Sequence, residues 1–155
     1  MDANGVKKFQ DAMAEKIHAL DVETAFVDGG DGQIGGTLRA LLPVTDAGDA
    51  SLMEIMVTEF EEDSDLLFFY TTMIVEIGPG YEALTEMLLD WNLSCPMGAF
   101  GIFRQARQFY HKYTVPVPKD TEPEALAEKA MELLEMLYEV ISRQFPEAVR
   151  LSGHQ

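Results

Sequence analysis

The candidates for nucleophilic catalysis in this sequence are Cys95 and His111, because none of its many carboxylates is singled out by spacing. The chain has one cysteine and three histidines. A thiol becomes a nucleophile when a nearby base takes its proton and a third group orients that base. His111 is the candidate base in the same stretch of chain, but we can name no third group. A free cysteine also commonly behaves as a small buried hydrophobe, so we expect Cys95 to be structural.

Two acidic segments are candidates for cation binding. Residues 28–32 contain only Asp and Gly, but they lack the ligand spacing and the terminal Glu of an EF-hand calcium loop. Asp-Gly pairs are typical of hairpin turns instead. Residues 61–65 bring consecutive carboxylates together, and on a tight turn these diverge into water. We therefore predict two solvated turns, with no metal site and no cofactor.

Cationic side chains in the middle of the chain are candidates for holding a small ligand. Arg104, Arg107 and His111 lie in or beside a predicted hairpin, in a chain with few basic residues. They could act as polar anchors in a pocket between the sheet and the last helix. The alternative is that they are ordinary surface charges, because exposed ion pairs are common and contribute little energy.

The charge balance restricts the kinds of partner. The sequence has 11 Lys and Arg against 27 Asp and Glu, a formal net charge of −16. Such a field repels nucleic-acid phosphates and anionic membrane surfaces, and it favours a basic partner. We therefore predict binding to neither nucleic acid nor membrane. The N-terminus has no apolar signal-like run and no segment approaches a membrane span, so we expect a cytoplasmic protein.

Hydrophobic periodicity predicts a single domain over residues 1–155 with an α+β fold. The 155 residues leave room for one sizeable core, and no linker or repeat divides them. The predicted order is α-β-β-β-β-α-β-β-α, an antiparallel sheet of about five to six strands with three helices. The predicted helices cover residues 6–20, 81–92 and 121–145, and the predicted strands cover 22–27, 34–44, 52–60, 66–77 and a hairpin from 100 to 117.

The central strands are apolar on both faces. Met53, Ile55 and Val57 alternate with Leu52 and Met56, whereas a sheet with one wet face alternates apolar with polar residues. A helix, a second subunit or an extended partner must therefore cover the second face. We expect one apolar group to hold either core or a bound client: Met53, Ile55, Val57, Phe69 and Met73.

Four short motifs, placed along most of the chain, carry a resemblance to a known family. They are Trp91-Asn92 at a helix end, Gly98-Ala99-Phe100 at a strand start, Val115-Pro116 at a strand end, and Phe145-Pro146 at the end of the closing helix. With this order of elements the chain resembles the YbjN family of small bacterial proteins, which share the fold of type III secretion chaperones of the Tir-chaperone kind.

This resemblance implies a dimeric, acidic, non-enzymatic binding module. Secretion chaperones hold an extended segment of a client protein, and YbjN-like proteins are associated with regulation. The alternative is a small-ligand sensor or regulatory domain. In a dimer, the helix at 81–92 and the strand after it are expected to face the second copy. The expected interface residues are Tyr81, Leu84, Leu88, Trp91, Phe100 and Ile102.

Overall fold

The computed structural model describes residues 1–153, which form three helices and a six-stranded antiparallel sheet. The predicted α+β class and the order α-β-β-β-β-α-β-β-α are confirmed. The elements are α1 (Ala3–His18), β1 (Glu23–Val27), β2 (Gln33–Pro43), β3 (Ala50–Glu59), β4 (Ser64–Ile74), α2 (Tyr81–Ser94), β5 (Ala99–Phe103), β6 (Gln108–Pro118) and α3 (Pro123–Ser152).

The strands lie in the spatial order β1-β2-β3-β4-β6-β5. The first four strands form a meander, in which residues 28–32 make the predicted turn between β1 and β2. After α2, the β5–β6 hairpin joins the sheet through β6, which pairs with β4. Strands β1 and β5 are therefore the two edges of the sheet.

All three helices contribute to one core against one face of the sheet. The apolar stripe of α1 is buried there, with Val6, Phe9 and Met13 fully covered. On the sheet, Leu38 and Phe69 lie in the same core and are also fully covered. We call this side of the sheet the helix side. Burial of apolar surface between this side and the amphipathic faces of the helices stabilises the fold.

The last helix is longer than the sequence predicted. Phe145-Pro146 does not end α3, which continues through Pro146 to Ser152, so that prediction was wrong. The final turns are held by tertiary contacts: Phe145 and Ala148 are buried, and the Ser152 carbonyl accepts a hydrogen bond of 3.0 Å from the Gly80 N–H. We also expected residues 151–155 to fray. Residues 151 and 152 are helical, while 154 and 155 lie outside the described residues.

Strand β4 ends three residues before its predicted limit. A register shift between Thr72 and Ile74 interrupts its pairing with β6, and Ile74 lies opposite Phe109. This irregularity turns both Met73 and Ile74 toward buried positions and leaves Val75 largely exposed. The chain then passes to the start of α2.

Candidate functional site

One face of the sheet carries no covering element within residues 1–153. Its side chains belong neither to the core cluster nor to the shell packed against it. All but one of them are half-buried, because neighbours on adjacent strands shield one another. The exception is Leu41, which is exposed. We call this surface the open face, and it consists of Leu41, Leu52, Met56, Leu66, Phe68, Tyr70 and Tyr110.

The strand register places aromatic and aliphatic side chains side by side across the open face. Met56 of β3 lies opposite Phe68 of β4. On the other side of β3, Leu52 lies opposite Leu41 of β2. Tyr70 stacks on Tyr110 with ring centroids 4.9 Å apart. Cross-strand pairs of this kind stabilise a sheet by about 0.2–1 kcal/mol each. The result is a broad apolar surface made by β2, β3, β4 and β6.

Charges on the open face are few and nearly balanced. Arg39 Nε lies 3.1 Å from Glu54 Oε2, across the β2–β3 pair. Lys112 Nζ lies 5.1 Å from the centre of the Phe68 ring, within range of a cation–π interaction. The strong negative charge of the chain is therefore not concentrated on this surface.

Tyr70 is a hydrogen-bond donor fixed in the open face. Its hydroxyl donates to Gln108 Oε1 at 2.7 Å. Burial, together with smaller contributions from the nearby Tyr110 and Glu54, raises the pKa of Tyr70 to about 12. The phenol therefore stays protonated near neutral pH, where it serves as a neutral donor and not as a base.

The five residues expected to hold either core or client lie on the helix side. Met53, Ile55, Val57, Phe69 and Met73 have exposed fractions between 0% and 5%. Core is the role that fits them, because a partner cannot contact them while the helices are in place. The accessible apolar residues are their neighbours in sequence on the open face. Both sets have the same two-residue periodicity, so the sequence pattern did not distinguish them.

The expected dimer stripe of α2 packs against the core of its own chain. Leu84 and Phe100 are buried, at 0% and 5% exposed, so they do not fit the role of contacts to a second copy. Trp91 packs edge-on to Phe100, with ring centroids 6.0 Å apart. Tyr81, Leu88 and Ile102 are half-buried and pack against the same core. The exposed apolar residues of α2 are instead Leu89 and Leu93, at 82% and 88%.

Two of the sequence motifs meet where α2 joins β5. The Asn92 amide donates to the Phe100 carbonyl at 2.9 Å and accepts from the Phe100 N–H at 2.7 Å. Gly98 has a φ of +70°, and a Cβ there would lie 2.2 Å from the Lys112 carbonyl oxygen. Glycine is therefore required at this position. These motif residues fix the connection between a helix and an edge strand.

Cys95 and His111 are close together but are not arranged for nucleophilic catalysis. His111 Nε2 lies 3.9 Å from Cys95 Sγ and 2.7 Å from the Met97 carbonyl oxygen. A carbonyl only accepts, so Nε2 carries the proton and cannot take one from the thiol. The thiol also faces the Met97 carbonyl, at 3.2 Å. Burial lowers the pKa of His111, and its hydrogen bond to Met97 acts in the opposite direction.

The three expected polar anchors do not converge on one pocket. Arg107 Nη2 donates to the carbonyls of Ile77 and Gly78 at 3.1 and 3.0 Å, and its guanidinium lies over the Tyr81 ring. Arg104 is exposed in the turn between β5 and β6, and His111 is buried beneath the end of α2. A groove of about 390 Å³ does lie between α3 and β6, but none of the three residues lines it.

The acidic segment at 61–65 divides into two environments. Residues 61–63 form an exposed turn, as expected. Asp65 differs from the expectation of a solvated carboxylate, because it lies in β4 and is 1% exposed. Its carboxylate lies 2.6 Å from the Met1 amino group and 3.9 Å from Lys119 Nζ. Residues 1–153 contain no group of three or more His, Cys, Asp or Glu placed to bind a metal ion.

No protein-family model matches this sequence, and no curated protein matches it. The resemblance to the YbjN family and to type III secretion chaperones therefore stays a prediction. Across the described part of the chain, no helix has both the length and the hydrophobicity needed to span a membrane.

Proposed function

We propose that this chain is a non-enzymatic protein-binding module that holds an extended segment of a partner protein on its open face. The observation that carries the proposal is the uncovered apolar surface around Met56 and Phe68, opposite a complete helix-covered core. Large contiguous apolar patches on a folded domain commonly mark interaction sites. The face has few charges, so the chain's other surfaces can keep it soluble.

The shape of the surface favours an extended partner segment over a small ligand. A sheet face is broad and flat, and side chains of an extended strand can fit between its rows of residues. Strands β1 and β5 also have one unpaired edge each within residues 1–153. Such an edge can add a strand through main-chain hydrogen bonds, with side-chain contacts providing selectivity.

We further propose that the module is a homodimer, with α2 at the interface. Leu89 and Leu93 are spaced by four residues, so they lie on the same side of the helix, and both are strongly exposed. A stable interface buries about 800 Å² on each partner, more than two leucines provide. The edge strand β5 packs beside α2 and supplies further surface.

The alternative, a small-ligand sensor or regulatory domain, has weaker support. The groove between α3 and β6 is large enough for a small molecule. However, the cations expected to anchor such a ligand lie elsewhere, and Arg107 is already hydrogen-bonded to the backbone of the segment that precedes α2. We therefore place partner binding first.

The proposal is tested by comparing which proteins two variants capture from an extract of cells that naturally contain this chain. Phe68→Glu places a charge on the open face. Phe26→Glu makes the same change on β1, where Phe26 is 53% exposed on the helix side of the sheet. We expect Phe68→Glu to lose specific partners that both the wild type and Phe26→Glu retain. If the two variants, with matching melting temperatures, capture the same proteins as the wild type, the open face is not the binding site.

A further inference from the structure

A second apolar groove lies on the helix side, where α3 passes the end of β2 and the turn after α1. Its volume is about 820 Å³. Val22, Leu42 and Leu134 form its floor and belong to the core. The groove is fixed in place because the Tyr138 hydroxyl donates to the Pro43 carbonyl, which ties α3 to the end of β2.

The two walls of this groove expose apolar side chains. Leu20, in the turn after α1, is 58% exposed, and Met136 of α3 is 45% exposed. Neither belongs to the core cluster of the chain. Removing apolar surface from water is favourable by about 25 cal/mol per Å². A ligand that covers both walls would therefore gain binding free energy without rearrangement of the floor.

The rim of the groove is acidic. Glu132, Glu135 and Glu139 line it, spaced by three and four residues along α3, so they share one side of the helix. Glu132 lies 3.3 Å from Lys129 Nζ. Glu135 and Glu139 make no ion pair among the described residues. An anionic ligand or an anionic lipid surface would be repelled, whereas Lys or Arg side chains would find two unpaired carboxylates.

We propose that this groove binds a basic amphipathic segment of a partner polypeptide. Its apolar side chains would pack between Leu20 and Met136, and its cations would pair with Glu135 and Glu139. From Glu132 to Glu139 the rim extends about 10 Å along α3, enough for roughly two turns of a helical segment. The groove lies on the side of the sheet opposite the open face, so this site is independent of the proposed function.

The test uses two labelled synthetic peptides and the full chain. One peptide is a short amphipathic helix of leucine and lysine, and the other has glutamate in place of every lysine. Binding is measured by fluorescence anisotropy in about 0.15 M salt, where charges more than about 8 Å apart are largely screened. We expect the lysine peptide to bind the wild type and the glutamate peptide not to bind.

Matched charge reversals on α3 locate the site. Glu135→Lys with Glu139→Lys should weaken binding of the lysine peptide by roughly tenfold, because each change replaces an attraction with a repulsion. Glu124→Lys with Glu128→Lys alters the net charge equally, on exposed positions that line a different, polar groove. Glu128 lies seven residues before Glu135, about 10 Å along the helix, so this control should change the affinity by less than about threefold. Met136→Ser should also weaken binding.

Several results would overturn the proposal. These are failure of the lysine peptide to bind, equal binding of the glutamate peptide, or equal weakening by the two double variants. Phe68→Glu on the open face should leave peptide binding unchanged, which separates this site from the proposed function. Melting temperatures of all variants establish that they are folded, and the substituted glutamates are exposed.

Discussion

Single residues determine how α2 and β5 are joined. Asn92 holds the backbone of Phe100 through two hydrogen bonds, and Gly98 lets the chain pass close to Lys112. His111 lies beneath this connection, fully buried, with its Nε2 proton donated to Met97. Its Nδ1 atom is buried and has no hydrogen-bond partner among the described residues. Protonation of His111 therefore places a charge where nothing compensates it.

We predict that His111 makes the folded chain sensitive to acid. Burial lowers its pKa below the ordinary value of 6.5. As the pH falls below about 6.5, the unfolded chain binds more protons than the folded one, so the free energy of unfolding decreases. The decrease continues to the folded-state pKa, with a slope of at most about 1.4 kcal/mol per pH unit.

The His111→Phe variant should lack the part of the acid-induced decrease in the free energy of unfolding that His111 causes. We expect the variant to be less stable at every pH, because the lost hydrogen bond to Met97 is worth about 1 kcal/mol. The slope is therefore the informative quantity. Urea unfolding at several values between pH 7.5 and 5 measures it. His18→Gln, at an exposed position of α1, is the matched variant that removes a histidine elsewhere. An unchanged slope in His111→Phe would show that other groups cause any acid sensitivity.

At the scale of elements, periodicity predicted the order and type of every helix and strand. The stripes of α1 and α3 repeat at three and four residues, and β3 and β4 alternate. The end of α3 was missed because a local proline signal was outweighed by tertiary contacts of Phe145 and Ser152. Asp65 was missed because its partners are distant in sequence.

The covered face of the sheet was not predictable from the strands alone. Met53 and Met56 are chemically identical, yet one is in the core and the other is on the open face. The difference arises from the side on which the helices pack, and alternation does not encode that side when both sets are apolar. The same ambiguity placed the expected client-binding residues in the core.

We predict that Pro146→Ala stabilises the chain. Pro146 is exposed within α3, lacks an N–H for the carbonyl four residues earlier, and strains the helix. The free energy of unfolding should rise by about 1–3 kcal/mol, which thermal unfolding by circular dichroism detects as a rise of several degrees. Pro123→Ala is the matched control, because proline is favourable in the first turn of a helix. No gain for Pro146→Ala would mean that the proline ring or its bend contributes to packing.

At the scale of the whole molecule, a strong net negative charge accompanies uncovered apolar surfaces. The net charge is −16, while the open face, Leu89 and Leu93 remain accessible. Mutual repulsion of acidic molecules opposes non-specific association. Apolar surface can therefore be kept for particular contacts, which fits a module that binds partners.

We predict that Leu89→Glu with Leu93→Glu converts a dimer to a monomer. The mass of one chain is 17.3 kDa. Light scattering after size exclusion should give twice this mass for the wild type and the mass of a single chain for the variant. The change places charges in the proposed interface, where they would be desolvated. Leu20→Glu with Val75→Glu adds the same charge at exposed apolar positions outside α2 and β5 and should remain dimeric. A monomeric wild type, or a monomeric control, would contradict the proposed interface.

The central claim is that the open face holds a segment of another protein. Its most direct test replaces Phe68 with a photoreactive benzoyl-phenylalanine and irradiates cells that naturally contain this chain. The same replacement at Phe26, on the other side of the sheet, is the control. We expect residue 68, and not residue 26, to form a covalent adduct with another protein, and digestion should locate the link in one short segment of it. The absence of an adduct at residue 68, or an adduct only with a second copy of this chain, would contradict the claim.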